Sequence, residues 1–125
     1  LSFRAQLSKA GALAASLLLL SACAAEPSIA PTGAVTEVTV TVAGMQYVPD
    51  TIEVPVGNEL VITFENTGDV VHDLVLDNGA GSMQVFPGQA EVIKAGVIGA
   101  EVEGWCTIGN HRAMGMELTV IAVGG

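Results

Sequence analysis

From Val35 onward the apolar positions recur at every second residue. Val38, Val40 and Val42 alternate with Thr39 and Thr41, and Leu60, Ile62 and Phe64 alternate with Val61, Thr63 and Glu65. That period belongs to strands with one buried and one wet face. Turn residues fall between the runs, at Gly44, Pro49-Asp50, Pro55-Val56-Gly57-Asn58 and Asn66-Thr67-Gly68-Asp69. The pattern predicts further strands at about 70–76, 90–95, 98–106 and 116–123. No stretch holds a helical period over a helix-length window, and no segment repeats. Short strands at this spacing, about seven or eight in all, predict an all-β fold, a β-sandwich with Greek-key connections.

Strand parity extends the pattern to particular side chains. With Leu74 and Leu76 turned inward, His72 turns inward too. In the segment ending at Cys106 the inward set is Ala100, Val102 and Gly104, which leaves Glu101, Glu103 and Trp105 outward. His72 and Cys106 are therefore expected to face one core.

The length of 125 residues suits one domain, and scarce charge with mostly Val, Ile, Leu and Ala as aliphatics favours strands. Residues 1–22 read instead as a secretory signal. Arg4 and Lys9 precede an apolar run over residues 10–20, and Leu20-Ser21-Ala22-Cys23 has the form of a lipoprotein cleavage site. That run is too short for a bilayer crossing, which takes roughly 20 residues. Cys23 is then the lipidated residue, residues 23–34 a proline-containing tether, and residues 35–125 the folded domain. An exported, cell-envelope location with a lipid anchor in the membrane follows as an expectation. A disulfide between Cys23 and Cys106 is the competing use of the two cysteines.

The chemistry concentrates in Trp105-Cys106-Thr107-Ile108-Gly109-Asn110-His111-Arg112-Ala113-Met114-Gly115-Met116. With His72 this loop assembles a thiol, thioethers and both histidines of the chain. Two imidazoles, a thiolate and a weak axial methionine form the donor set that suits copper moving between Cu(I) and Cu(II). Zinc calls for four strong ligands, and methionine is not one. The bland alternative for His72, a core histidine bonded to a carbonyl, competes with this reading. Met45 and Met83 read as packing residues, with a place on the surface near the metal as the alternative for Met83, which sits in a Gly-rich loop.

Cys106-x4-His111-x4-Met116, with His72 opening an upstream His-Asp-Leu-Val strand, resembles the type 1 copper loop of cupredoxins such as azurin, auracyanin and plastocyanin. The resemblance runs from Val35 to Val123. It implies a cupredoxin-like sandwich holding one copper ion, with His72, Cys106 and His111 in the plane and Met116 axial; Met114 is the rival axial ligand. Only 34 residues separate His72 from Cys106, which suggests a trimmed form. In azurin-like proteins the residue after the first histidine bonds the residue after the cysteine, which points here to Asp73 and Thr107. In plastocyanins an exposed aromatic beside acidic residues gives a second electron route, which points to Trp105, Glu101 and Glu103.

Three function classes compete: a one-electron carrier, a copper delivery or storage protein, and a copper enzyme. An oxidase or reductase needs further copper centres, and no histidine remains for one. A closed His2CysMet set favours the carrier over delivery, where dithiol or Met-rich sites are more usual. Beyond Ala22 the chain carries 13 acidic residues against Lys94 and Arg112, so a basic redox partner such as a cytochrome c is expected. A nucleic-acid partner is not expected, and the domain reads as a monomer.

Overall fold

A computed structural model describes residues 29–125. The predicted signal, Cys23 and most of the tether lie outside them. The described chain forms β1 (Val35–Ala43), β2 (Gln46–Val48), β3 (Thr51–Pro55), β4 (Glu59–Glu65), β5 (Val75–Leu76), β6 (Ala90–Val97), β7 (Val102–Trp105) and β8 (Glu117–Val123). A single 3-10 turn, Arg112–Met114, interrupts the strands. Two four-stranded sheets result, ordered β2-β1-β4-β6 and β3-β8-β7-β5. The chain changes sheet at every connection from β2–β3 to β6–β7 and stays within one sheet only at β1–β2 and β7–β8. Hence β1 and β4 lie parallel, as do β3 and β8, while the remaining ladders are antiparallel. This is the expected two-layer sandwich.

The period-two residues meet in the interior as their parity requires. In the β1–β4 ladder Val38 faces Ile62 and Val40 faces Phe64, and from the opposing sheet Ile52, Val54, Val102, Leu118 and Val120 close the core. Burying each such side chain stabilises the fold by about 1.5–3 kcal/mol relative to exposure. Tyr47 packs edge-on against Phe64, with ring centroids 5.8 Å apart, and places its hydroxyl at the end of the sandwich where His72 and Cys106 lie.

Several expectations need correction. The strand expected over 70–76 shortens to Val75–Leu76. Upstream of it, His72 makes an isolated bridge to Val85, because Ser82 and Val85 of the following loop take the hydrogen bonds a neighbouring strand would. Ala100, expected to face inward, is exposed because β7 begins only at Val102. β2 and β3 are too short, and too closely flanked by Pro49 and Pro55, for their alternation to stand out. The last residues of the supposed tether, 29–34, pack against the domain. The Thr32 amide donates to the Gly57 carbonyl (2.9 Å) and its hydroxyl to Asn58 Oδ1 (2.6 Å). Gly57, at φ +90, lies so close that an added Cβ would come within 2.8 Å of the Ala30 carbonyl oxygen. Met83 is 76% exposed in a loop, which removes the packing reading and leaves the surface one.

Candidate metal centre

Three segments bring the donors together at one end of the sandwich. His72 arrives on the stretch before β5, where its N–H donates to the Val85 carbonyl (3.1 Å) and its carbonyl accepts from Val85 (2.7 Å). Cys106 follows β7 directly, and parity sends it inward after Val102 and Gly104. Gly104 suits the close approach of β5, since an added Cβ would stand 2.8 Å from Leu76 Cδ2. His111 opens the 3-10 turn, and Met116 stands at the entrance to β8. Cys106 N–H donates to the Met116 carbonyl (3.2 Å), and Met116 N–H donates to the His111 carbonyl (3.1 Å). These bonds fold the loop back, bringing the backbone of Met116 beside those of Cys106 and His111.

The donor atoms converge. Cys106 Sγ lies 4.0 Å from His72 Nδ1 and 3.6 Å from His111 Nδ1, and the three atoms lie within 4.8 Å of one another. For metal–sulfur and metal–nitrogen distances of about 2.3 and 2.0 Å, a trigonal set has sulfur–nitrogen edges of about 3.7 Å. The observed edges fit an ion between them. His72 and Cys106 are buried and His111 is half-buried, so solvent reaches the cluster through the loop histidine.

Electrostatics agree with a cation site. Burial, and then the nearby His111, pushes His72 below the ordinary imidazole range, which keeps a neutral lone pair on the ring. Burial pushes the Cys106 thiol up, so a thiolate at this depth needs a cation beside it. Met116 is fully buried in the core, whereas Met114 is 53% exposed on the 3-10 turn. Burial thus sets Met116 among the core residues at this end of the sandwich and leaves Met114 in solvent. Two imidazoles, one thiolate and one thioether, with the sulfur soft and the geometry closed, are positioned as a type 1 copper site.

Around the donors, Asp73 Oδ1 accepts from the Thr107 N–H (2.6 Å) and Oδ2 from the Thr107 hydroxyl. The residue after His72 is thus bonded to the residue after Cys106. Sequence reasoning missed two further supports. Tyr47 donates its hydroxyl to the Asp73 carbonyl. Asn66, 1% exposed, donates to the carbonyls of Val70 and Val85 (2.8 Å each) and accepts from the Gly68 N–H (3.0 Å), which shapes the loop leading to His72. An Asn in an Asn-Thr-Gly-Asp turn was legible as a turn former only, and its long-range bonds had no local signal. His72 Nε2 is buried without a hydrogen-bond partner.

Glu101 is exposed just before β7, Glu103 is half-buried on the outer face of that strand, and the Thr119 hydroxyl donates to the Glu103 carboxylate (3.3 Å). Burial, followed by the adjacent Glu101, raises the Glu103 carboxyl above its usual range. Trp105, expected to be exposed, is half-buried, because the Arg112 guanidinium lies 4.1 Å from its ring centroid.

Comparison with known proteins agrees with this architecture. The family model described as a cupredoxin-like domain matches residues 10–99, a span that contains His72 and ends before the Cys106–Met116 loop. No curated protein matches the chain. Among solved structures, auracyanin from Roseiflexus castenholzii is similar at a TM-score of 0.64 and 19% identity, over 74% of this chain and 100% of that one. Auracyanin A, a "blue" copper protein from Chloroflexus aurantiacus, is similar at 0.57 and 14% identity, over 71% of this chain and 99% of that one. A Cu-containing nitrite reductase from Thermus scotoductus is similar at 0.56 and 18% identity, over 72% of this chain but only 23% of that one. With the family match spanning most of its length and a sandwich that closes two imidazoles and a thiol on one point, the chain belongs to the cupredoxin-like family.

Proposed function

We propose that this protein is a one-electron carrier that works through a single type 1 copper, exported and held at a membrane by a lipid on Cys23. The observation that carries the reading is the closed, internally braced donor set. Cys106 is gripped between two imidazoles, and Asp73 bonds the two ligand segments together. Copper, when bound, supplies a one-electron couple. The protein's part is to keep the donors in one arrangement in both oxidation states. Burial excludes water from Cys106 and His72, the Asp73–Thr107 bonds resist movement of the loop, and half-buried His111 gives the shortest way out to solvent. Both histidines are committed to one centre, so this chain has none left for a second copper, and we read it as a carrier rather than an enzyme.

The acidic balance supports a basic partner. Glu101 and Glu103 flank Trp105 on one face, and the attraction of that face for a cationic redox protein such as a cytochrome c would be salt-dependent. The membrane tether rests on the Leu20-Ser21-Ala22-Cys23 run.

Addition of Cu(II) to the purified protein tests the central reading. An intense thiolate-to-copper band in the visible, lost in Cys106→Ala, together with electron exchange faster than metal loss, is the expected result. Ready transfer of copper to a chelator without electron exchange would favour delivery or storage instead. For the surface, Glu101→Lys/Glu103→Lys should slow reaction with a basic cytochrome at low salt and not at high salt. For the anchor, Cys23→Ser should move the protein from the membrane fraction to the soluble one or block its processing.

A further inference from the structure

Cys106 and Met116 turn inward, so their strand neighbours Trp105 and Glu117 turn outward. These two residues face each other across the β7–β8 ladder. Arg112, the residue after His111, reaches over both. Its guanidinium lies 4.1 Å from the Trp105 ring centroid, and its Nε donates to Glu117 Oε1 at 3.1 Å. One outside contact thus joins the neighbours of all three loop donors: the residue before Cys106, the residue after His111 and the residue after Met116.

We propose that Arg112 is a positioning residue for the metal centre, its stacking on Trp105 and pairing with Glu117 forming a clasp that holds His111 in register with Cys106 and Met116. The inference rests on the copper-site reading above. His111 needs such help more than the other donors do. His72 is fixed by a two-way bridge to Val85, and Cys106 and Met116 are buried at strand ends, whereas His111 sits half-buried on a 3-10 turn none of whose residues is buried. Arg112 and Glu117 are themselves 53% and 55% exposed. Such a pair adds little to global stability, since exposed ion pairs are typically worth under about 1 kcal/mol. Its influence is local, on where the loop histidine stands. The guanidinium plane matters as well as the charge, because it lies over the indole while its Nε–H addresses the carboxylate.

The test compares wild type with Arg112→Gln, Arg112→Lys, Glu117→Gln and the double variant Arg112→Gln/Glu117→Gln. Trp105 is the only tryptophan, so its fluorescence in the copper-free protein reports directly on whether the clasp is closed, independently of any copper chemistry. Loss of the stack should change the emission in Arg112→Gln, with partial recovery in Arg112→Lys. In the copper-loaded protein Arg112→Gln should release metal to excess chelator about three- to tenfold faster and shift the visible band, at an unchanged urea midpoint. The double variant should be no faster than Arg112→Gln alone. If the emission changes but release and band do not, or if release rises only in proportion to lost fold stability, Arg112 is a surface residue and the proposal fails. Absence of any thiolate-to-copper band in wild type would instead sink the copper-site reading itself, while the fluorescence arm still reports on the clasp.

Discussion

Asp73→Ala removes a side chain that ties the His72 segment to the Cys106 loop. Its two carboxylate oxygens accept from the Thr107 amide (2.6 Å) and the Thr107 hydroxyl, and Asp73 is only 5% exposed. A hydrogen bond to a charged group is worth about 1.5–3 kcal/mol. Two opposing effects reduce the sum. Thr107 is exposed, so its freed donors can turn to water, and loss of a buried carboxylate returns part of its desolvation cost. The net destabilisation should be about 2 kcal/mol. Asp73→Asn keeps an oxygen for the Thr107 amide and offers its NH2 to the Thr107 hydroxyl, which must turn to accept, so with the charge assistance lost it should cost about half as much. With a urea m-value of roughly 1–2 kcal/mol/M for a domain of this size, the alanine variant should unfold about 1–2 M earlier. The asparagine variant should fall between it and wild type. A carboxylate beside two ligand residues also favours the more positive oxidised metal, so Asp73→Asn should raise the reduction potential. Urea titration of the copper-free protein measures the first effect and cyclic voltammetry of the loaded protein the second. An alanine variant as stable as wild type, with potential and visible band unmoved, would refute the role of this bridge.

Other perturbations separate the remaining residues. Met116→Gln should shift the potential and the visible spectrum, because a harder axial oxygen favours Cu(II), whereas Met114→Gln, at a 53% exposed position, should leave both nearly unchanged. Glu103→Gln should raise the melting temperature at pH 7: the folded-state carboxyl is raised, so the fold binds its proton more tightly than the unfolded chain does and loses stability as the group ionises. That advantage should close as pH falls below about 4.5, the unfolded value, and a gap that persists there would contradict the assignment. His72 is lowered in the fold, so the copper-free protein should lose stability as pH drops below 6.5, where the unfolded chain takes up a proton that the buried ring resists. This part of the pH slope, followed by unfolding scans, should be missing in His72→Gln.

The alternation of Val38, Val40 and Val42 and of Leu60, Ile62 and Phe64 was enough to specify strands, because which face of a strand is buried is a local property of period two. The donor set was equally legible. Its chemistry resides in residue identity, and Cys106, His111 and Met116 are close in sequence as well as in space. Parity alone assigns His72 and Cys106 to a common interior and turns Glu103 and Trp105 outward, as the fold does. Parity has no reach across loops, however. The pairing of β3 with β8, the bridge from His72 to Val85, the bonds of Asn66 and the packing of residues 29–34 on the Gly57 turn all join segments whose separation along the chain carries no periodic signal. The preference for Met116 over Met114 comes from the resemblance, through the His-x4-Met spacing, and the tertiary structure adds their difference in burial. Two residues apart on a loop, they differ in burial because the 3-10 turn leaves one in solvent while the entry to β8 carries the other into the core. So too with Trp105: its outward direction was written in the strand, but its cover was decided by Arg112, which the return of the ligand loop brings across the ladder.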